Sequence, residues 1–468
     1  MALQYDTPTS TADFSSAINN NVAISAATAA AITTLLGLDT AASVNVAGWD
    51  GVTAPVTAGA PDVLAITVDG VAGDEANLVL PASVADAKVI LIDSDADVSL
   101  TVGQEVSPLA RVAAASDLII NGGNGNDTLT VLGAANVTLD GGAGNDTLVT
   151  GSGDDVVTLG TGNNTASTGA GNDTIVTGQG HDVVVAGAGF DTIQVSGDST
   201  AFDVTSVGSL LVLNGTGASE GLSVTAQDAE FVSFADGNTI AVASTEEQAS
   251  ALRLFEGVLG RDADQGGAEA FSAAADAGAS TSALAQSFLS SAEYQNDLND
   301  EFVANAFQSF LGRPVDDGGE AAFLNLLANG GTRADVINGL VNSAEGQEVP
   351  LGNTAFVNEV YESALGRFAD DSGLSSWITA LNAGATRADV TDQIFNSAEA
   401  SHKTSVDFVD SIYENALGRA VGDDLAGKAS WTFALDNGVS QADVAIGIVG
   451  SPEAVDHNTN VIVVHGAV

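Results

Sequence analysis

The 468-residue sequence contains no cysteine and a single methionine, which excludes disulfide bonds, thiolate metal sites and cysteine nucleophiles. Basic residues are also scarce: 11 Lys and Arg stand against 61 Asp and Glu, and 11 − 61 gives a net charge of −50. A surface this acidic repels the phosphates of nucleic acids, so we expect no nucleic-acid partner. The same charge attracts cations.

Long apolar segments are missing as well, and aromatic residues make up only 5% of the chain. No run of about 18 uninterrupted apolar residues occurs, so we expect no membrane span. The N-terminal residues MALQYDTPTS carry no basic group, and the first Lys or Arg is Lys88. This predicts that there is no conventional cleavable signal peptide and that export would use another route. Hydrophobic residues still make up 45% of the chain, too many for a disordered acidic tail.

A phrase of nine residues recurs between Gly122 and Gln194, as in GGAGNDTLV and GAGNDTIVT. Each phrase joins a glycine-rich turn to a short strand, and two phrases make one coil of a parallel solenoid with strands roughly 4.8 Å apart. Carboxylates stacked at that spacing repel one another, and hard cations such as Ca²⁺ remove this cost. Aligned on the acidic position, the phrases carry Asp127, Asn136, Asp146, Asp155, Asn164, Asp173, Asp182 and Asp191.

These phrases resemble the calcium-binding repeats of RTX proteins, which form a β-roll and leave Gram-negative bacteria by type I secretion. The resemblance implies several Ca²⁺ ions, bound by the aspartates and the glycine carbonyls of the turns. The implied metal-binding residues are Asp127, Asp146, Asp155, Asp173, Asp182, Asp191, Gly123, Gly125, Gly142, Gly144, Gly151, Gly153, Gly169, Gly171, Gly178, Gly180, Gly187 and Gly189. Asn136 and Asn164 depart from the acidic pattern, and Leu132 and Ala134 replace glycines in the second copy.

The 18-residue coil predicts two acidic edges. One edge carries Asp155, Asp173 and Asp191, and we expect the best sites to lie between its neighbouring members. The other edge carries Asp127, Asp146 and Asp182 and is interrupted by Asn164. No Lys or Arg occurs between Arg111 and Arg253, so basic side chains of this segment cannot neutralise the rows. We therefore expect the roll to fold only when calcium is bound.

A second repeat fills the C-terminal half, with the Leu of L-G-R at Leu259, Leu311, Leu365 and Leu417. Each unit has the pattern of three short helices, and Thr332, Thr386 and Ser440 each precede an Asp by three residues, an acidic variant of the capping box. An Arg and a following Asp recur in every unit: Arg261 and Asp264, Arg313 and Asp316, Arg367 and Asp370, Arg419 and Asp424. The two interpretations are an ion pair that fixes the loop and a ligand or partner site.

The helical unit resembles a domain of unknown function that often accompanies RTX tracts in surface-layer and other secreted bacterial proteins. The predicted fold class is therefore α+β and multidomain. We expect a β-rich N-terminal domain over 1–115 with a leading helix near Asp13–Leu36, then the parallel β-roll over 116–197 and a β cap over 198–245. Four all-α repeats follow over 246–460, at about 246–296, 297–350, 351–402 and 403–456.

Residues 457–468 form the C-terminal tail. It ends in small and apolar residues, which by resemblance indicates an uncleaved secretion signal; the alternative is a final strand that completes a sheet.

No catalytic arrangement is predicted. Gly217–Gly221 matches G-x-S-x-G, but both flanks have the pattern of strands, whereas the nucleophile elbow needs a helix after it. Residues 422–429 nearly spell a phosphate-binding loop, but Ala429 stands where Ser or Thr would hold Mg²⁺. The four histidines form no H-E-x-x-H motif. We therefore predict that the protein is not an enzyme.

The combined prediction is an extracellular, calcium-stabilised structural protein that assembles on or around the cell surface of a Gram-negative bacterium, as a surface-layer or matrix component. Its expected partners are further copies of itself and the type I secretion machinery. A calcium-dependent adhesin that binds cell-surface polysaccharide is the alternative.

Overall fold

The computed structural model describes residues 8–21, 23–57, 60–81, 83–103, 117–348, 351–419 and 424–464. Its N-terminal half is built mainly from parallel strands, and about 246–457 is helical, so the predicted α+β class is confirmed. The chain divides into two compact units. The first contains residues 1–249, 263–270 and 460–468, and the second contains residues 250–262 and 271–459.

Two long sheets form the first unit. The 11-stranded sheet contains β3 (Val46–Trp49), β4 (Val63–Val68), β6 (Val89–Ser94), β8 (Leu118–Asn121), β10 (Val137–Asp140), β12 (Val156–Thr158), β14 (Thr174–Val176), β16 (Thr192–Val195), β20 (Phe231–Phe234), β21 (Thr239–Ala243) and β22 (Val461–Val463). The nine-stranded sheet contains β5 (Glu75–Leu78), β7 (Asp97–Val102), β9 (Thr128–Val131), β11 (Thr147–Val149), β13 (Thr165–Ser167), β15 (His181–Val185), β17 (Phe202–Val207), β18 (Leu210–Gly215) and β19 (Ser223–Gln227).

The nine-residue phrase explains the alternation between these sheets. Successive phrases supply strands to opposite sheets, so each strand pairs with one that is 18 residues away, as Val157 pairs with Leu139 and with Ile175. The middle residue of each short strand points into the space between the sheets. Leu148, Ala166, Val157 and Ile175 are at most 1% exposed in this shared core. One inward side chain per strand is enough to form a continuous core, because the coils stack in register.

The N-terminal segment that was expected to be rich in strands contributes β4, β5, β6 and β7. They pair in parallel with the nonapeptide strands, β6 with β8 and β7 with β9, so both sheets run from the N-terminal strands into the repeats. The domain boundary predicted at residue 115 lies outside the described residues.

The leading helix forms as two helices, α1 (Thr11–Asn19) and α2 (Ala26–Leu36), while β1 (Thr9–Ser10) pairs with β2 (Ser43–Val44). Ser25 is the N-cap residue of α2, because its hydroxyl accepts a hydrogen bond from the Thr28 amide. Phe14 and Ile32 pack with Val63 and other outward-facing residues of the 11-stranded sheet. That sheet is therefore buried on both faces at this end.

The roll ends in a cap whose strands turn back. β17 and β18 pair in antiparallel fashion, β18 pairs with β19, and β20 pairs with β21. β22 then adds to β21 in parallel, with Ile462 opposite Val242. The segment 461–463 is thus a strand at the sheet edge, and residues 465–468 of the predicted secretion signal lie outside the described residues.

Helices make up nearly all of the second unit, although α3 and α4 also include residues of the first unit. They are α3 (Glu246–Leu259), α4 (Gln265–Asp276), α5 (Thr281–Leu289), α6 (Ala292–Leu311), α7 (Asp317–Ala328), α8 (Arg333–Asn342), α9 (Ala344–Glu348), α10 (Asn353–Leu365), α11 (Asp371–Asn382), α12 (Arg387–Phe395), α13 (Ala398–Leu417), α14 (Leu425–Asp436), α15 (Gln441–Val449) and α16 (Pro452–His457). The third helix of each repeat packs against the third helix of another repeat: α8 packs against α12, and α5 packs against α15. Within the described ranges, no helix is long and apolar enough to cross a membrane.

Candidate metal centre

The aspartates of the nonapeptides lie at the turns where strands begin. Asp155, Asp173 and Asp191 immediately precede β12, β14 and β16 of the 11-stranded sheet. Asp127, Asp146, Asn164 and Asp182 occupy the corresponding positions in the nine-stranded sheet, the last as the second residue of β15. Because neighbouring coils pair 18 or 19 residues apart, each set forms a row along one edge of the roll.

Hydrogen bonds tie each row together from coil to coil. The Oδ1 atom of Asp173 accepts from the Asp155 amide at 2.8 Å, and the Asp173 amide donates to Oδ1 of Asp191 at 2.8 Å. In the other row, the amide of Asp127 donates to Oδ1 of Asp146 at 2.8 Å. Each aspartate therefore uses one carboxylate oxygen to hold the coil before it.

The second carboxylate oxygen has no such bond. The six aspartates of the rows are at most 2% exposed. In five of them the buried Oδ2 atom lacks a hydrogen-bond partner: Asp127, Asp146, Asp155, Asp173 and Asp191. An ionised carboxylate with an unpaired buried oxygen is costly, so these atoms require a proton or a cation.

Burial raises the pKa of these carboxyl groups. The pKa values of Asp127, Asp146 and Asp191 rise to about 7, chiefly because the side chains are removed from water, with neighbouring acidic residues adding to the effect. The pKa of Asp155 rises to about 6 for the same first reason. Near neutral pH the carboxyl groups of Asp127, Asp146 and Asp191 therefore lie close to the point where they lose their protons.

The turn glycines make the close stacking of the coils possible. Gly162 has a φ of +118°, and a Cβ added there would lie 1.9 Å from the carbonyl oxygen of Gly144. Gly153 has no positive φ, but its added Cβ would lie 2.4 Å from the carbonyl oxygen of Ala135. A side chain would therefore not fit between these turn glycines and the backbone carbonyl groups of the coil before them.

The alignment of the second phrase needs a correction. Asp155 stands over Val137, whose amide donates to Oδ1 of Asp155 at 2.7 Å, and not over Asn136. The extra residue of the repeat therefore lies before β10, the strand that begins at Val137. Asn136 instead accepts from the Asp154 amide through Oδ1, at 3.0 Å.

That contact belongs to a second kind of ladder, which the sequence analysis missed. The residue before each aspartate accepts from the next coil, so Asn126 bonds to the Asn145 amide and Asn145 bonds to the Asn163 amide, both at 2.7 Å. The recurring Asn of G-N-D was the available signal, because an Asn side chain is well suited to accept from a neighbouring backbone amide.

These rows fit a hard cation. Among the described residues, no three His, Asp or Glu side chains converge in one metal cluster. Each acidic row offers two carboxylates per step together with the turn carbonyls, an all-oxygen donor set that suits Ca²⁺. Bound Ca²⁺ would supply the positive charge that the unpaired Oδ2 atoms lack.

The arginines of the helical repeats have a different main partner from the predicted one. Arg367 donates from Nε and Nη2 to both carboxylate oxygens of Glu399, at 2.7 and 2.9 Å. The same bidentate pair recurs between Arg261 and Glu293, Arg313 and Glu345, and Arg419 and Glu453. Each Arg also lies over an aromatic ring, as Arg367 does over Tyr361 at 5.3 Å.

The repeat aspartates mainly serve as helix caps. Asp370 accepts from the Gly373 amide at 2.8 Å, and Asp264, Asp316 and Asp424 bond to the amide three residues on in the same way. Asp316 also accepts from Arg313 at 2.8 Å, and Asp424 lies 3.8 Å from Arg419. Arg and Asp thus stabilise the loop through different neighbours, and the Arg–Asp ion pair forms in some repeats.

The geometry defines the class of protein: a parallel β-roll with buried acidic turns, followed along the chain by helical repeats. Residues 119–137, 131–157 and 158–193 match the RTX calcium-binding nonapeptide repeat. Residues 285–350, 348–404 and 400–458 match a domain of unknown function, DUF4214. Both predicted resemblances are confirmed. No curated protein matches the chain.

The two family matches support general statements about function. RTX nonapeptides are calcium-binding motifs, and they point to a secreted, extracellular protein of Gram-negative bacteria. Neither matched family is a catalytic domain. Ser219, the central residue of the G-x-S-x-G match, lies in a single 3-10 turn between β18 and β19, without the helix that a nucleophile elbow needs.

Proposed function

We propose that the protein is an extracellular structural component that binds several Ca²⁺ ions through its roll and assembles on or around the bacterial surface. The observation that carries the proposal is the pair of buried carboxylate rows, in which five of the six aspartates have an Oδ2 atom without a hydrogen-bond partner. The aspartates and the glycine carbonyls of the turns are the proposed ligands. With Ca²⁺ bound, the rows hold successive coils together; without it, like charges repel in a buried setting.

Calcium also gives a reason for folding outside the cell. Extracellular calcium modules have Kd values of about 10⁻⁴–10⁻³ M, so such sites stay empty in the cytosol and fill where calcium is millimolar. We propose that the chain is exported unfolded by type I secretion, with its signal within residues 457–468. The test compares secretion of the full chain with that of a chain ending at Asp456. Retention of the shortened chain inside cells supports this route, and normal secretion contradicts it.

Surface assembly is proposed from charge and modularity. Molecules with a net charge of −50 repel one another, and divalent ions can bridge their acidic surfaces. Electron microscopy of the purified protein in EGTA, in millimolar Ca²⁺ and in equal Mg²⁺ tests this role. We expect sheets or filaments only with Ca²⁺. Monodisperse particles in Ca²⁺ that bind polysaccharide on a glycan array would contradict assembly and support an adhesin.

A further inference from the structure

The fourth helical repeat exposes large apolar side chains where the other three repeats have none. When the repeats are aligned on their capping aspartates, Leu425 stands one residue and Phe433 nine residues after Asp424. The corresponding residues of the other repeats are Gln265, Asp317 and Asp371 for the first position and Ala273, Asn325 and Thr379 for the second. Leu425 is 71% exposed and Phe433 is 68% exposed. Two apolar groups of α14 are therefore open to a partner.

The same helix carries polar side chains at positions that the third repeat uses for apolar packing. Lys428 and Thr432 stand where the third repeat has Leu374 and Ile378. Thr432 is 4% exposed, and its hydroxyl oxygen has no hydrogen-bond partner among the residues that the structure describes. A buried hydroxyl without a partner costs free energy, so this group requires a hydrogen bond that the described part of the chain does not supply.

These residues meet in a cleft between α13 and α14. Its volume is about 380 Å³, near the lower end of the range of about 300–1,000 Å³ that is typical of small-molecule pockets. The side chains that line it include His402, Leu425, Lys428, Thr432, Phe433 and Asp436. The cleft thus combines exposed apolar walls with a few polar groups, as ligand pockets generally do.

The two basic side chains that line the cleft each have an acidic partner. Nζ of Lys428 donates to Oδ2 of Asp410 at 2.7 Å. Nδ1 of His402 lies 2.6 Å from Oδ2 of Asp436. Both basic groups are therefore already paired, and the net charge of −50 further opposes an anionic ligand. This arrangement favours a neutral ligand that forms hydrogen bonds.

We propose that the cleft binds a neutral hexopyranose ring of an extracellular polysaccharide. The C–H face of such a ring packs against an aromatic side chain such as Phe433, and its hydroxyl groups donate and accept hydrogen bonds, as the Thr432 hydroxyl requires. An apolar side chain of a peptide would cover Phe433 but leave Thr432 without a partner. The site goes beyond the function proposed above, because it lies in the helical unit and uses no calcium.

The test uses the full chain in millimolar Ca²⁺ and saturation-transfer difference NMR. The probes are the methyl glycosides of glucose, galactose, mannose and N-acetylglucosamine, with cyclohexanemethanol as the apolar probe. Phe433→Thr introduces the residue type that the third repeat has at this position. Phe368→Thr is the matched control, because Phe368 is 67% exposed and lies outside the cleft. Thr432→Val removes the hydroxyl and keeps the shape of the side chain.

We expect the wild type to transfer saturation to at least one glycoside, F433T to lose this signal and F368T to keep it. T432V should weaken binding by about threefold to tenfold, the effect of one hydrogen bond. No transfer to any glycoside by the wild type would overturn the site, and so would an equal loss in F433T and F368T. Transfer to cyclohexanemethanol alone would also overturn it, because the cleft would then select apolar groups.

Discussion

At the scale of single residues, the roll depends on carboxyl groups whose protonation and metal binding are alternatives. A buried Asp with one oxygen bonded to a backbone amide and one unpaired can satisfy the second oxygen with a proton or with a cation. The two solutions have opposite pH dependence. We expect protons to stabilise the calcium-free fold at low pH and the proposed calcium ions to replace them as the pH rises.

This predicts how the calcium-free roll responds to pH. The pKa values of Asp127, Asp146 and Asp191 are about 7 in the fold, against 3.8 ordinarily. A raised pKa in the folded state gives stability that is complete below about pH 4 and lost as the pH rises through 7. Circular dichroism in EGTA should therefore show more strand structure at pH 5 than at pH 8.

The same groups predict that calcium and protons compete. The midpoint of a Ca²⁺ titration should fall to lower calcium concentration as the pH rises from 5.5 to 8, and binding near pH 6.5 should release protons into a weakly buffered solution. Magnesium at the same concentration serves as the control. A midpoint that does not change over this pH range would contradict the role of the buried carboxyl groups.

The two rows also differ in how much a single aspartate matters. Asp173 bonds to the amide of Asp155 and donates its own amide to Asp191, so it belongs to two proposed sites. Asp182 faces the neutral Asn164, which lowers the charge available to a cation there. We expect Asp173→Ala to raise the calcium midpoint more than Asp182→Ala does, measured by circular dichroism. Equal midpoints for the two variants would contradict the ranking of the rows.

Much of this site could be predicted from spacing alone, because a strict nine-residue repeat fixes which residues stack. The prediction failed where spacing is not strict. One inserted residue places Val137, not Asn136, beside Asp155. The pairing of β20 with β16 was also not predicted, because the strands β17, β18 and β19 separate β20 from the repeats in the sequence.

At the scale of elements, the helical repeats are joined by contacts that local sequence does not show. The L-G-R arginines pair with a glutamate 32 or 34 residues later, in the first turn of the third helix after the arginine. Sequence reasoning placed the Arg with the nearby Asp because it had no signal for the longer contact. The caps were predictable, since a capping box involves residues only three apart: Thr332 with Asp335 and Thr386 with Asp389 both form it.

Arg367→Lys tests the longer contact. Lys cannot form the bidentate bond to Glu399 and stacks less well on Tyr361, so we expect a loss of about 0.5–1 kcal/mol for this partly exposed pair. Chemical denaturation followed at 222 nm measures it. Glu399→Gln should cost a similar amount, and the double variant should cost less than the sum. Additive losses would show that the two side chains do not act together.

Thr386→Ala tests the cap of α12 separately. The Thr386 hydroxyl accepts from the Asp389 amide at 3.1 Å, and Asp389 accepts in return from the Thr386 amide at 3.0 Å. Removing the hydroxyl should cost about 1 kcal/mol. Thr386→Ser is the matched control and should keep most of the stability. A full loss in the serine variant would show that the methyl group, not the cap, matters.

At the scale of the whole molecule, positive charge is distributed unevenly. Of the 11 Lys and Arg residues, nine lie between Arg253 and Lys428 and only Lys88 and Arg111 precede them. The helical unit therefore neutralises part of its acidic charge internally, through the recurring Arg–Glu pairs. The matched nonapeptides, residues 119–193, contain no Lys or Arg, so we expect the roll to depend on cations from solution. The two units should accordingly respond to calcium in different ways.

We predict two thermal transitions that calcium separates. Each Ca²⁺ site with a Kd of about 10⁻⁴–10⁻³ M adds about 1.4–2.7 kcal/mol at 10 mM calcium, so several sites together should raise the melting temperature of the roll strongly. The helical transition, followed at 222 nm, should move little. Differential scanning calorimetry of the full chain in EGTA and in 10 mM Ca²⁺ measures both, and 10 mM Mg²⁺ controls for ionic strength. A single transition that moves as a whole with calcium would contradict the prediction that calcium stabilises only the roll, because it would mean that the helical repeats also depend on the bound ions.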